Sequence, residues 1–183
     1  MLERALIAYA SPTLAHLKTG SLFAVSGENT ALAEEMARIN GMLRPRGLRL
    51  VALHSEPSRT LLYLYREQAL RETLLCPKAQ TLLAACGYQT FTPEEALSTL
   101  RDRLTASDDF PHEIGVFLGY PPEDVIGFIR NGGRNCLCAG CWKAYANESE
   151  ARRTFARLNK CRAVYARRFA EGYSIAKLTV RTR

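Results

Sequence analysis

Several features that would reveal a function directly are missing from this sequence of 183 residues. No stretch approaches the ~20 consecutive apolar residues that a membrane-spanning helix needs. The first residues do not resemble a secretory signal, because an acid stands at Glu3 and no long apolar run follows. Neither the phosphate loop G-x4-G-K-[S/T] nor the dinucleotide fingerprint G-x-G-x2-G is present. The sequence therefore predicts a cytoplasmic protein without a membrane partner, and gives nucleotide-dependent chemistry no support.

The composition is that of an ordinary globular protein, with 47% hydrophobic and 23% charged residues. A chain of this length buries ~70% of the surface that its unfolded form exposes, so we expect a single globular domain over residues 1–183. In a reducing compartment the six cysteines are expected to be thiols or metal ligands rather than disulfides.

Acidic residues are scarce in the last third of the chain. Residues 1–129 carry 12 basic and 15 acidic side chains, a balance of −3, whereas residues 130–183 carry 13 basic and only 3 acidic ones, a balance of +10. A basic surface of this kind attracts nucleic acid, phosphorylated ligands or an acidic protein, although a solvated helix face has the same composition.

The apolar pattern predicts a mixed α/β fold with a small sheet of about four strands, covered by helices, and a helical C-terminal half. Strand-like runs lie at residues 20–25, 48–53, 60–65 and 141–146, the middle two joined as a hairpin. Helices are predicted at 2–10 and 12–17, with a break at Pro12, and later at 67–75, 77–86 and 92–104, before a loop at 107–109.

The clearest predicted element is the last long helix. Asn147 and Glu150 form a capping pair at its start, and Gly172 ends it. One side is apolar: Ala151, Phe155, Leu158, Cys161, Tyr165, Phe169. The other is basic: Arg152, Arg153, Arg157, Lys160, Arg167, Arg168. We expect the segment from His112 to Trp142 to pack against this helix and to form a cationic pocket with a thiol nearby.

Three cysteines within six residues, Cys136, Cys138 and Cys141, form the first candidate site. Thiolate clusters suit zinc or an iron–sulfur centre. A fourth ligand would come from one of four residues: Cys76, Cys86, Cys161, His112. The spacing C-x-C-x2-C is not a strong metal signature, and buried unliganded thiols explain it as well.

A thiol nucleophile is a second candidate, with His112 as the base for Cys141 or Cys161. The order of residues excludes a papain-like arrangement, because every histidine (His16, His54, His112) precedes the cysteine–tryptophan pair. His112 and Glu113 are also a candidate acid–base or anion-contacting pair; a helix start with an acid in its first turn is the alternative.

Residues 112–130 are predicted to form two short helices around a turn, as in helix–turn–helix proteins. Glu123 and Asp124 at the start of the second helix would repel phosphate, which argues against sequence-specific DNA binding. RNA is a weaker prediction than a small anion or an acidic protein, because no aromatic-plus-basic strand motif is present.

The segments 110–115 (FPHEIG), 117–121 (FLGYP), 127–129 (GFI) and 142–145 (WKAY) resemble a bacterial family known as domain of unknown function 3793. The resemblance extends to residues 172–178 (GYSIAKL) and so covers nearly the whole chain. It implies a bacterial, largely anaerobic source and an iron- or redox-linked setting, but no assigned activity. The residues that match its pattern are His112, Glu113, Trp142, Lys143 and Cys161; a cysteine before the tryptophan is not a regular feature.

Two hypotheses follow. In the first, a binding or accessory protein uses Trp142, Lys143, Arg157 and Lys160 to hold a small anionic ligand or an acidic partner such as a flavodoxin. In the second, a thiol-dependent or metal-dependent redox enzyme uses Cys161 or Cys141 with His112. The sequence leaves open whether the protein is an enzyme.

Overall fold

The computed structural model describes residues 1–27, 29–106 and 109–181. The chain forms two compact units. The first consists of Met1–Leu70 and Lys160–Arg183, and the second of Arg71–Asn159. The single domain expected from the length of the chain stays a prediction.

A three-stranded antiparallel sheet forms the centre of the first unit. Its strands are β1 (Gly20–Ser26), β2 (Leu48–Glu56) and β3 (Arg59–Arg66), in the order β1-β3-β2. The predicted hairpin is confirmed, because β2 and β3 are adjacent and only residues 57 and 58 separate them. A bulge between Ala52 and His54 shifts the register of β2 by one residue.

Two helices of the first unit pack their apolar sides into one core with the sheet. They are α1 (Leu2–Leu14) and α2 (Asn29–Leu43), which a short 3-10 turn, Arg44–Arg46, follows. The core contains side chains from helices, strands and the C-terminal segment: Leu6, Leu14, Ile39, Leu50, Leu62, Ile175. Burial of this apolar surface is the main force that holds the unit together.

Helix α1 is continuous, so the predicted break at Pro12 is wrong. Pro12 stands in the last turn of the helix. There the missing N–H removes a single helical bond, and Ala15 still donates to the Ser11 carbonyl at 2.9 Å. The helix therefore ends at Leu14, two residues after the proline.

Arg66, at the end of β3, is fully buried. Its guanidinium donates to the carbonyl oxygens of Thr13 and Leu14, both at 2.7 Å, and of Val180 at 2.9 Å. Burial lowers the pKa of Arg66 to about 10. Because one guanidinium binds carbonyl oxygens of α1 and of the C-terminal segment, Arg66 links these two parts of the chain to the end of the sheet.

The second unit is mostly helical. Helix α3 (Glu67–Leu75) enters it from the first unit, and α4 (Pro77–Ala85), α5 (Pro93–Ala106), α6 (Ile114–Phe117) and α7 (Pro122–Asn131) follow. A small hairpin comes next, with strands β4 (Cys138–Ala139) and β5 (Lys143–Ala144). The strand predicted at 141–146 is thus reduced to β5. The predicted α/β fold is confirmed, with three plus two strands in place of about four. Residues 107 and 108 of the predicted loop lie outside the described residues.

Helix α8 (Glu148–Ala170) belongs to both units, since its residues 148–159 lie in the second and its residues 160–170 in the first. A short helix, α9 (Ile175–Leu178), follows it. The predicted cap is confirmed, because Asn147 Oδ1 accepts the Glu150 amide at 3.1 Å. Several basic side chains form ion pairs within or next to the helix: Arg152–Glu148, Arg153–Glu150, Arg168–Glu171. Within the described ranges, no helix has both the length and the apolar character that crossing a membrane requires.

Candidate functional site

An open pocket of about 370 Å³ lies in the second unit, between α6, α7 and the hairpin that follows them. This volume lies in the range of small-molecule sites, ~300–1,000 Å³. Five of the residues that line it carry aromatic rings: Phe110, His112, Tyr120, Phe128, Trp142. The others are mostly aliphatic or small: Ile114, Gly115, Leu118, Val125, Ala139, Gly140. Asp124 and Lys143 complete the wall. The pocket is therefore largely apolar, with few polar groups.

A tight turn between α6 and α7 builds one side of the pocket. Gly119 adopts a left-handed conformation (φ 74°) after α6, and Pro122 occupies the first turn of α7. A Cβ atom at Gly115 would lie 2.7 Å from Val125 Cγ2. Glycine at position 115 lets the two helices approach each other closely, and the turn between them is the one that the sequence predicted.

Asp124 is the centre of the hydrogen bonding around the pocket. The residue is buried, with only 3% of its surface exposed. One carboxylate oxygen accepts the Trp142 Nε1–H at 2.7 Å, and the other accepts the amides of Tyr145 at 2.7 Å and Ala146 at 3.0 Å. A buried carboxylate needs such donors to offset its lost hydration. Asp124 thereby fixes the second strand of the hairpin and its tryptophan against α7.

Trp142, the only tryptophan of the chain, lies between two other rings. Tyr120 stacks on it with 4.9 Å between ring centroids, and Phe155 of α8 meets it edge to face at 4.6 Å. The Tyr120 hydroxyl donates to the Cys141 carbonyl at 3.2 Å. A Cβ atom at Gly140 would lie 2.2 Å from the Phe155 ring, so this glycine is needed for the close contact of hairpin and helix.

Lys143 lies at the exposed edge of the pocket. Its Nζ donates to the Gly133 carbonyl at 2.8 Å and lies 5.8 Å from the centre of the Phe128 ring. Gly133 belongs to a turn in which Gly132, Gly133 and Asn135 have φ values of 55°, 72° and 57°. The ammonium has three N–H groups, and one bond to a carbonyl leaves the others available.

His112 is exposed at the same edge. Its ring meets the Phe128 ring edge to face, with 4.9 Å between centroids, and lies 6.2 Å from the Phe110 ring. Its ring nitrogens have no hydrogen-bond partner among the residues that the structure describes. His112 and Lys143 thus both contact Phe128 and are the exposed polar side chains of the pocket.

Glu113 does not line the pocket, although it follows His112 directly. It is 2% exposed, forms an ion pair with Arg103, and accepts a bond from the Tyr88 hydroxyl at 3.3 Å. Burial, together with the nearby Glu113 charge, raises the pKa of Tyr88 well above its usual value. The predicted acid–base pair is therefore divided, with the histidine in the pocket and the glutamate in a separate buried cluster.

Cys138 and Cys141 belong to one small apolar cluster, but their sulfur atoms face different oxygen acceptors. Cys138 is buried, with its sulfur 4.0 Å from the Glu148 carbonyl, and the Cys141 sulfur lies 3.9 Å from Asn159 Oδ1. Cys136 is half-buried. Over the described ranges, no three Cys, His, Asp or Glu side chains are grouped so that they could hold a metal ion. The structure therefore does not bring Cys136, Cys138 and Cys141 together as a zinc or iron–sulfur site.

Three other predicted residues lie on α8 and are not among those that line the pocket. The side chains of Arg157 and Lys160 are exposed, and neither side chain forms a hydrogen bond or an ion pair with the described residues. Cys161 is 9% exposed, and burial raises the pKa of its thiol, although Arg162 acts in the opposite direction. Lys160 and Cys161 belong to the first unit, whereas the pocket residues belong to the second.

A family model described as a protein of unknown function (DUF3793) matches residues 6–179, nearly the whole chain. The chain belongs to this family. No curated protein and no solved structure matches it.

In this DUF3793 chain the predicted contact between residues 112–142 and the terminal helix is present, through Trp142 and Phe155. The pocket wall, however, is aromatic rather than densely cationic, because the side of α8 that meets the hairpin is its apolar one. Sequence reasoning missed Tyr120, Phe128 and the role of Asp124. The acid at the start of a helix was visible, but it was interpreted only as repelling phosphate.

Proposed function

We propose that this protein binds a small ligand with an anionic group in the aromatic pocket of its second unit, and that it acts as a binding protein rather than as a thiol enzyme. The observation that carries the proposal is the exposed ammonium of Lys143 at the edge of an otherwise apolar pocket. A few polar groups placed on an apolar wall are typical of sites that orient a small molecule.

The charges around the pocket favour an anion. The Asp124 carboxylate already accepts three N–H groups of the protein itself, so its lone pairs are largely used. Residues 125–147 contain no acid, whereas Arg130, Arg134 and Lys143 are basic. This segment of the chain therefore carries a net positive charge, which favours negatively charged ligands.

The same rings could in principle surround a cation, because aromatic cages bind quaternary ammonium groups. Lys143 opposes that alternative. Its ammonium already lies 5.8 Å from the centre of the Phe128 ring, so a second positive charge there would be repelled.

The enzyme hypothesis has less support. No cysteine lines the pocket that holds His112, as far as the chain is described. Cys161 is buried with a raised pKa, which lowers the fraction of the reactive thiolate. A cytoplasmic location belongs to the proposal as well, because six free cysteines suit a reducing compartment.

An acidic protein partner such as a flavodoxin is the weaker form of the binding proposal. Arg152, Arg153 and Arg168 on α8 are engaged by neighbouring glutamates. Arg157 and Lys160 are exposed on the same helix and form no such ion pair with a glutamate of the described residues. Two exposed charges alone give little specificity for an acidic protein.

The test uses three naphthalene probes of nearly equal shape: 2-naphthoate, its uncharged amide, and 2-naphthyltrimethylammonium. Isothermal titration is expected to rank the anion first and the cation last. Lys143→Gln should weaken naphthoate binding about 5-fold or more, as the loss of one charge-assisted bond implies, and leave the amide unchanged. Arg130→Gln is the matched control: it removes one exposed positive charge of the same segment from a residue that does not line the pocket, so it should weaken naphthoate much less than Lys143→Gln does.

Two results would contradict the proposal. Tightest binding of the cation would identify an aromatic cage instead of an anion site. If none of the three probes binds at millimolar concentration, the pocket is not a site for small molecules of this size.

A further inference from the structure

We propose that the pocket is a slot for a flat aromatic acid, whose ring lies among those of Tyr120, Phe128 and Trp142 and whose anionic group faces Lys143. This inference rests on the proposed function and names the chemical class of its ligand. It separates an aromatic acid from an acyl chain, since both carry an anion on an apolar body.

The polar atoms of two aromatic side chains in the wall are already hydrogen-bonded. The Trp142 Nε1–H is bonded to Asp124, and the Tyr120 hydroxyl to the Cys141 carbonyl. What these side chains offer to a ligand is therefore the apolar ring surface that faces the pocket and is not used in their contact with each other. Ring surfaces interact best with another ring, because stacked and edge-to-face pairs gain energy beyond their buried area.

Contacts within the protein hold the aromatic wall in place before any ligand binds. Trp142 stacks on Tyr120 with an angle of 26° between the ring planes, and Phe155 supports it edge to face. Both pinned rings lose little side-chain freedom when a ligand arrives. A rigid flat ligand in a preformed slot also loses less conformational entropy than an acyl chain, which must be ordered bond by bond.

Small residues beside the rings allow the wall to pack closely. Gly115, Ala139 and Gly140 line the pocket with little or no side chain, and at the two glycines the protein's own side chains fill the position that a Cβ atom would take. A Cβ at Gly115 would press on Val125 and Tyr120, and one at Gly140 on Phe155. The sequence thus has its smallest residues where a larger side chain would displace the ring-bearing wall.

Two polar side chains beside Phe128 indicate where the acidic group of the ligand lies. His112 and Lys143 both lie against Phe128, with the histidine ring 4.9 Å and the ammonium 5.8 Å from the centre of its ring. A ring that packs beside Phe128 therefore has two polar side chains at its edge. A carboxylate or similar anion attached directly to the ring plane meets them without any flexible linker.

The experiment compares 2-naphthoate with decanoate, an acyl chain with the same carboxylate, by isothermal titration against the full chain. We expect naphthoate to bind about 10-fold more tightly. Phe128→Leu keeps an apolar side chain but removes the ring, so it should weaken naphthoate about 5-fold and leave decanoate nearly unchanged. Phe110→Leu is the second variant: Phe110 adds a further ring to the pocket wall, so its loss should also weaken naphthoate more than decanoate, and because Phe110 is 46% exposed the fold should tolerate the change even if Phe128→Leu does not.

The outcomes separate this inference from the proposed function. Equal or tighter binding of decanoate, or equal losses for both probes in the variants, would overturn the aromatic slot while leaving an anion-binding pocket in place. Failure of both probes to bind would overturn the pocket itself. Selective loss of naphthoate in either variant supports the slot.

Discussion

The carboxylate of Asp124 holds the indole of Trp142 by a hydrogen bond of 2.7 Å, across 18 positions of the chain. Asp124 lies in the first turn of α7 and the tryptophan stands in the hairpin after it, so this bond joins the two halves of the pocket wall. The same carboxylate also takes the amides of Tyr145 and Ala146. Asp124 therefore positions the aromatic wall of the pocket.

Replacing Asp124 should therefore cost both stability and the position of the tryptophan. In Asp124→Asn the amide retains one acceptor oxygen, but its NH₂ group must face an N–H donor. We expect the free energy of unfolding to fall by about 2–3 kcal/mol, since charge-assisted bonds are lost in a buried place. Urea unfolding measures the loss, and the emission of Trp142 should shift to longer wavelength in the folded variant.

Glu123→Gln is the control for that experiment, because Glu123 is the adjacent residue and its ion pair with Lys78 is exposed. Exposed ion pairs contribute little to stability, so the free energy of unfolding and the emission wavelength of Trp142 should both stay near those of the parent protein. Equal effects of the two variants would show that the Asp124 network does not hold the wall.

Two helical glycines provide a matched pair. A Cβ at Gly41 in α2 meets nothing within 4 Å, whereas one at Gly127 in α7 would lie 2.5 Å from the Cβ of Tyr145. Gly41→Ala should raise the free energy of unfolding by about 0.5–1 kcal/mol through helix propensity. Gly127→Ala should lower it by about 1–3 kcal/mol, because the hairpin must move away from α7. Stabilisation by both alanines would contradict the close contact that builds the pocket.

The buried ion pair of Glu113 and Arg103 is a structural contact in this account. Glu113→Gln should lower the free energy of unfolding by about 2 kcal/mol, less than for a fully enclosed pair, because the Arg103 side chain is 40% exposed. Naphthoate affinity should not change, since Glu113 does not line the pocket.

Glu94→Gln, an exposed acid at the start of α5, is the control and should change neither quantity. Loss of naphthoate binding in Glu113→Gln at temperatures where the protein is fully folded would instead assign Glu113 to the ligand site.

Thiol reactivity tests the enzyme hypothesis directly. Burial raises the pKa of Cys161, so at pH 7 less of it is thiolate than in a free cysteine, and labelling should accelerate as the pH rises toward that pKa. With iodoacetamide under native conditions, half-buried Cys136 and Cys141 should react before buried Cys138 and Cys161. Peptide mass analysis over time gives each rate. Fastest labelling of Cys161 at pH 6–7 would restore it as a nucleophile.

Local signals in the sequence were enough to predict most helices. The capping pair Asn147 and Glu150 and the apolar stripe after it predict α8 within one residue of its observed end. Pro12 led to the wrong prediction of a break in α1. In the last turn of a helix the missing N–H of proline removes a single hydrogen bond, so the helix continues to Leu14. Local sequence signals therefore predict that a helix forms, whereas the residue at which it ends also depends on the surrounding structure.

The small hairpin shows where sequence reasoning ended. Residues 141–146 have the apolar character of a strand, but the partner, Cys138–Ala139, is two residues long and has no strand pattern of its own. Pairing therefore stops at Lys143–Ala144. Strand length is decided by pairing, which is a tertiary property.

The candidate site was predicted in part. His112, Trp142 and Lys143 were singled out, and all three line the pocket. Asp124 could not be recognised as their support, because its three donors come from residues 142–146 and only the folded hairpin brings them together. The cysteines attracted attention through spacing alone, and spacing does not fix where sulfur atoms point.

The central claim is that the second unit holds an anionic ligand between Lys143 and the aromatic wall. Titration of ¹⁵N-labelled protein with 2-naphthoate, followed by amide chemical shifts, tests it most directly. We expect the largest shifts at the indole N–H of Trp142 and in the amides of residues 112–120 and 128–143, saturating with naphthoate. Shifts confined to residues 160–181, or no saturable shift at all, would contradict it.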